Sequence, residues 1–176
     1  MVTLLLTARS RWFDMSKLYV DELVGKSNAN HIIMPKGSVV QTVYGESTTA
    51  TSLTSTTKGS GTETGVEVTI TPHSSSNKLL IQANIQIAET GYVPDTWIAL
   101  EIHDGSSIVY TDGVTTYYHN ASGDEAWRIR GTIQTYIDAP SSATTYKVRA
   151  WRGSSGTFTA QNDSNPSSIV IQEIQQ

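Results

Sequence analysis

The sequence predicts an all-β protein, an antiparallel β-sandwich of the jelly-roll type carrying an extended N-terminal leader. Three observations lead there. Apolar residues alternate with polar ones at a period of two along several runs, which places them on one face of a strand. The runs are separated by Ser, Thr, Gly, Pro and Asn clusters with turn chemistry. No helix of ordinary length can be placed, and no repeat of 20–50 residues is visible. A closed barrel is the alternative architecture.

The strongest run is Gly65 to Glu89. Val66, Val68 and Ile70 alternate with Glu67 and Thr69, and Leu79, Ile81, Ala83, Ile85 and Ile87 alternate with Gln82, Asn84 and Gln86. A helical period would scatter these residues around the cylinder. Between the two runs, Pro72 cannot donate to a ladder and Ser74, Ser75, Ser76 and Asn77 favour a turn, which reads as a hairpin-like unit with one apolar face. Burying each large aliphatic there contributes roughly 1.5–3 kcal/mol before entropy, so a second sheet must cover it. Ile85→Asp is expected to abolish folding, whereas Gln86→Asp, facing the other way, should be tolerated.

From the N-terminus, residues 1–14 read unlike the rest, too short in apolar length for a signal-peptide core, and Met15 opens an ordinary amino terminus. Translation is expected to start at Met15, with 1–14 an over-extended start. Residues 15–37 form an extended anchoring leader with too few apolar residues to fold alone, ending in the Pro35-Lys36-Gly37 turn signal. The sandwich domain spans 38–176. Strands begin at Val39 and around Thr51, and the Gly-rich segment Lys58 to Gly61 is expected to be mobile. Trp97 to His103 alternates, and Asp104-Gly105 turns it into Ile108 to Thr111. Residues 112–124 form a long aromatic-bearing loop. Trp127 to Ile137 is a long strand with a bend or bulge at Gly131, followed by strands at Tyr146 to Ala150 and Ile169 to Ile174. The total is about eight.

At 176 residues the chain can bury a core without metals or disulfides, and it has no Cys for a thiolate site or nucleophile. A net charge of -4 without clustered Lys or Arg argues against nucleic acid as a partner. No apolar stretch reaches the ~20 residues a membrane-inserting helix needs. No Gly-x-Ser-x-Gly elbow is present, Lys58-Gly59-Ser60-Gly61 lacks the spacing of a phosphate loop, and His31, His73, His103 and His119 have no partner at ligand spacing. Asp21/Glu22 and Asp124/Glu125 are adjacent and would face opposite ways in a strand. The chain therefore reads as a non-enzyme without cofactor or metal.

Tyr92, Trp97, Tyr110, Tyr117, Tyr118, Tyr136 and Trp151 are more aromatic residues than one core can hide. They either pack at sheet edges and a subunit interface or form a glycan-stacking platform. The candidate surface-recognition loop is Tyr117, Tyr118, His119 and Asn120, and Trp151, out of phase with Tyr146, Val148 and Ala150, is a further aromatic contact.

Four phrases occur in order: the leader SKLYVDELVGKSNANHIIMPKGSVVQTV, then TGVEVTITPHSSSNKLLIQANI, TYIDAPSSATTYKVRAW and SSIVIQEI. Together they resemble virion structural proteins of marine tailed bacteriophages, over about residues 16 to 176. The resemblance implies a non-enzymatic, trimeric part of the particle exterior, a tail-fibre or head-fibre tip or a capsid decoration protein. Other virion proteins would be met through residues 15–37, with a host-surface glycan as a possible outer partner. The rival reading is a lectin-like carbohydrate-binding β-sandwich module.

Overall fold

Eleven strands follow one another: β1 (Val39–Ser47), β2 (Thr51–Leu53), β3 (Thr62–Ile70), β4 (Lys78–Glu89), β5 (Thr96–His103), β6 (Ile108–Thr111), β7 (Thr116–Tyr118), β8 (Trp127–Asp138), β9 (Thr144–Arg152), β10 (Phe158–Ala160) and β11 (Ser167–Ile174). The computed structural model describes residues 34–89, 96–112, 116–118, 127–153, 157–161 and 164–176, with backbone alone at 116–118 and 127. The sandwich belongs to a unit running from Met34 to Gln176. The expected start at Met15 and the leader as far as Ile33 lie outside the described residues. The end of the leader is tied down: Gly37 N–H donates to Gln175 C=O at 2.8 Å and Gln175 N–H to Ser38 C=O at 2.9 Å.

The strands form two antiparallel sheets. In the first, here sheet A, β4 is the axis: β8 pairs along its whole length on one side, while β11 and then β10 share the other, flanked by β1 and β2. Sheet B runs β3-β9-β5-β6, with β7 pairing the first residues of β5. Leu79, Ile81, Ala83, Ile85 and Ile87 from sheet A meet Val66, Ile70, Ile98, Leu100, Ile102, Tyr146 and Val148 from sheet B, all at most 2 % exposed. The covering second sheet that the alternation demands is present.

Three expectations need correction. β3 and β4 are not a hairpin: they lie in different sheets, and residues 71–77 cross between them. Seven residues exceed the usual hairpin loop and can span the ~10 Å between packed sheets. Gly131 makes no bulge, since β4 and β8 stay in register from Lys78↔Asp138 to Glu89↔Trp127. Register shifts occur instead between Glu63 and Glu67 in β3, where Gly65 has φ of 76°, between Val39 and Gln41 in β1, and between Ile102 and His103 in β5. Within the expected 112–124 loop, Thr116–Tyr118 is a strand. β7 and β10 are three residues each, too short to show a period.

A buried carboxylate holds the crossover. Glu173, on β11, accepts from His73 N–H at 2.9 Å, Ser74 N–H at 3.2 Å and Asn77 Nδ2 at 2.7 Å, and its Oε2 lies 2.9 Å from His73 Nδ1. Asn77 C=O in turn accepts from Ala139 N–H at 3.0 Å. The second, third and fourth sequence phrases thus meet at one corner of the sandwich. Burial raises the Glu173 pKa, but the donors from His73, Asn77 and Ser74 outweigh it and hold the carboxyl below its ordinary value.

Candidate contact surface

The outer faces of the two sheets differ in chemistry. On sheet B, β3, β9 and β5 bring ionisable side chains into rows: Glu67, Lys147 and His103 in one, Glu63, Arg149 and Glu101 in the next. Lys147 Nζ lies 3.3 Å from both Glu63 and Glu67, and Arg149 Nη2 donates to Glu63 at 2.9 Å. The Arg149 guanidinium, before all other influences, holds the Glu63 carboxyl below its usual range.

Glu101 and His103 are buried although they point away from the core. The Gly-rich loop lies against Glu101: Gly59 and Gly61 N–H both donate to its carboxylate. Two backbone N–H groups of the segment expected to be mobile are thus held by a buried carboxylate. A Cβ at Gly61 would lie 2.9 Å from Glu101 Oε2, so the loop approaches as closely as it does only with glycine there. His103 Nε2 lies 3.5 Å from Glu101 Oε2, beyond good hydrogen-bond geometry, and has no other partner among the described residues. Among the described residues no group of three His, Asp or Glu could hold a metal ion.

Trp151 belongs to this face. Its ring meets that of Trp97 edge-on, centroids 4.6 Å apart at 87°, and is half-buried. A sugar-stacking platform needs an open ring face, and an edge-to-face pair uses one ring as the floor for the other. Tyr117 and Tyr118 pair through the backbone with Trp97 and Thr96, and their side chains, like all of His119 and Asn120, lie outside the described residues.

The outer face of sheet A is built from β1, β11, β4 and β8, and three adjacent rows cross all four strands. They are Thr42, Gln172, Leu80, Tyr136; Tyr44, Val170, Gln82, Gln134; and Glu46, Ser168, Asn84, Thr132. Glu46, at the rim, is the one charged residue of the twelve, and Tyr44 Oη donates to it at 2.6 Å. Tyr44 is 57 % exposed and Tyr136 52 %, the two most exposed large aromatic rings among the described residues. Between them Gln82 Nε2 donates to Gln134 Oε1 at 3.0 Å, and Thr132 Oγ1 to Asn84 Oδ1 at 2.8 Å. Each pair leaves further donors or acceptors directed outward, and Leu80 and Val170 supply half-buried apolar patches beside them.

The sequence pointed to Tyr136 as one of several aromatics but passed over Tyr44 and the amide pairs. The available signal was the polar phase of β4 and β8, in which Gln82, Asn84, Thr132 and Gln134 are uncharged at positions where a solvated strand ordinarily carries Lys or Glu.

No protein-family profile matches the sequence, and no curated protein matches it. Among solved structures, the chain is similar to the infectious bursal disease virus VP2 subviral particle, at 11% identity and TM-score 0.43 over 88% of this chain. It is also similar to the Gx strain of that virus, at 12% identity and TM-score 0.40 over 77% of this chain. It spans 37% of the length of either viral chain. The C-terminal domain of EclA, a sugar-binding protein, aligns at 16% identity and TM-score 0.29, covering 84% of this chain and 89% of that one.

Proposed function

We propose that the protein is a non-enzymatic structural component of a bacteriophage particle, assembled as a homotrimer, attached through residues 15–37 and displaying the sandwich on the virion exterior. The observation that supports this most is where the second, third and fourth of the resembling phrases fall. TGVEVTITPHSSSNKLLIQANI comprises most of β3, the crossover and most of β4; TYIDAPSSATTYKVRAW joins β8 to β9; SSIVIQEI is β11. They are the structural skeleton, and Glu173 and Asn77 join them at one corner. A shared set of phrases that specifies a fold, with no residue set for catalysis among them, fits a building block. A leader too poor in apolar residues to fold alone gains stability by wrapping on neighbouring subunits, and closed cyclic assembly is the usual outcome.

Immunogold labelling of purified particles with antibody against residues 38–176, together with light scattering of the 15–176 chain, tests the reading. Gold on the particle surface and a trimer mass are expected. Particles that bind no antibody would overturn the virion assignment, and a stable monomer at micromolar concentration would overturn the trimer.

The rival, a lectin-like module, is favoured by one specific observation, the neutral and tyrosine-flanked outer face of sheet A. The two readings are compatible if the particle meets a glycan.

A further inference from the structure

We propose that the outer face of sheet A, between Tyr44 and Tyr136, is the binding surface for an uncharged polysaccharide chain, in place of the 112–124 loop. The proposal deepens the reading of an exposed sandwich, but it concerns the isolated protein and can be tested apart from the virion.

Charge is the first argument. Within a chain of net charge -4, the three central rows of sheet A hold a single carboxylate at their rim, with the Lys78–Asp138 ion pair in the flanking row on one side and Arg130 in the flanking row on the other. A neutral surface gives a charged ligand nothing to offset its desolvation, so the complementary partner is uncharged.

Hydrogen bonding is the second. Gln82, Gln134, Asn84, Thr132, Gln172 and Ser168 present amides and hydroxyls, groups that both donate and accept. Sugar hydroxyls do the same, so each can bond to this lattice in either sense. The cross-strand pairs Gln82 to Gln134 and Thr132 to Asn84 fix the amide planes before a ligand arrives, which lowers the entropy lost on binding.

Shape is the third. The four strands make a shallow, open surface with a tyrosine at each side, and the C–H face of a pyranose packs on an aromatic ring through the ring's negative face. From strand spacing the tyrosines stand on the order of 15 Å apart, a span that takes a chain of several sugar rings and not a single one. Along β4 and β8 the neutral area ends at an open cleft of about 300 Å³ lined by Gln86, Arg128, Ile129, Arg130 and Asn165, whose two arginines bound it. A second copy of this chain is the competing occupant. Protein interfaces concentrate apolar groups at their centre, and here the two central positions are Val170 and Gln82, with Gln172, Leu80, Ser168 and Asn84 beside them, so four of these six are amides or hydroxyls.

The test is isothermal titration of the full chain with neutral hexaoses of the laminari, cello and xylo series, and with a hexameric polyuronate as the charged probe. At least one neutral series should bind. Tyr136→Ala combined with Gln134→Ala should weaken it by about tenfold or more, and Tyr44→Ala by about threefold. Glu67→Gln on the opposite face should leave affinity unchanged. Melting temperature and oligomer mass should be unaffected in all variants. Absence of binding by all three neutral series would overturn the proposal. So would binding by the polyuronate alone, which would assign the surface to anions. Loss of oligomer mass in the Tyr136→Ala/Gln134→Ala variant would overturn it in favour of a contact between copies, and none of these results would change where antibody labels the particle.

Discussion

The outer face of sheet B and that of sheet A are made of the same element, antiparallel strands pointing side chains away from one core, yet one is committed to structure and the other is left open. On sheet B the loop through Gly59 and Gly61 closes over Glu101, Trp97 meets Trp151, and Lys147 and Arg149 bridge Glu63 and Glu67. On sheet A the amides pair with one another across β4 and β8 and nothing described lies over them between Leu80 and Asn84. The Glu101 carboxylate that closes sheet B is buried and satisfied by the loop's N–H groups; the amides of sheet A are exposed and satisfied only in part.

Truncating each face should separate them most. Glu101→Ala removes a fully buried carboxylate and leaves Gly59 and Gly61 N–H without their acceptor, so we expect a loss of about 3 kcal/mol or more in urea unfolding, with exposure of the loop to protease. Gln134→Ala on sheet A should change stability by no more than about 0.5 kcal/mol. Equal losses would mean that sheet A's outer face is also built into the fold.

Acid should reach sheet B with a smaller effect. The Asp104 carboxylate is held down to about 2, first by Ser107 N–H and then by Ser106 N–H, in the β5–β6 turn. A carboxyl lower in the folded than the unfolded chain stabilises fully above its unfolded value and loses that contribution as pH falls through the folded one. Glu63, depressed by Arg149, acts in the same direction. Urea midpoints should therefore decline from about pH 4.5 towards about pH 2, and the protection of the Ser106 and Ser107 amides, relative to their intrinsic exchange rates at each pH, should fall with them. Glu173 adds to the decline from sheet A's inner side, so Asp104→Asn is the control that isolates the turn: its midpoint should fall less steeply over the same range. A slope that Asp104→Asn leaves unchanged would take the turn out of the acid response.

The core was legible because period-two alternation reports burial directly: Leu79, Ile81, Ile85 and Ile87 are at most 1 % exposed. What alternation cannot report is which sheet a strand joins. β3 and β4 carry the same pattern as a hairpin would, and their separation depends on Glu173, about a hundred residues later, capturing the crossover backbone. Alternation also fails where both faces are covered. Gln86 is 5 % exposed and Ala88 1 %, so the contrast between Ile85→Asp and Gln86→Asp will be narrower than the phase alone suggests. Trp151 is out of phase with the core, and on that phase its ring meets Trp97 edge-on, a pairing that sequence distance hides. The open face of sheet A depends on strands from opposite ends of the chain, Tyr44 from β1 and Tyr136 from β8, which sequence distance hides.

The smallest effect belongs to the ion pairs themselves, and it decides how far sheet B's commitment depends on charge as opposed to burial. Lys147 Nζ is within 3.3 Å of both Glu63 and Glu67, but the Lys147 side chain is 31 % exposed and those of Glu63 and Glu67 are 48 % and 53 % exposed, so water and salt screen the attraction. A double-mutant cycle of Glu67→Gln with Lys147→Met should return a coupling of about 0.5 kcal/mol or less that shrinks in molar salt. The buried Glu101 contacts differ in kind, since the loss in Glu101→Ala comes from unpaired N–H groups that salt does not screen, and its destabilisation should persist in the same salt. If the Glu67–Lys147 coupling proved as large as the Glu101→Ala loss, the ladder itself, and not the buried carboxylate beneath the loop, would be what fixes this face.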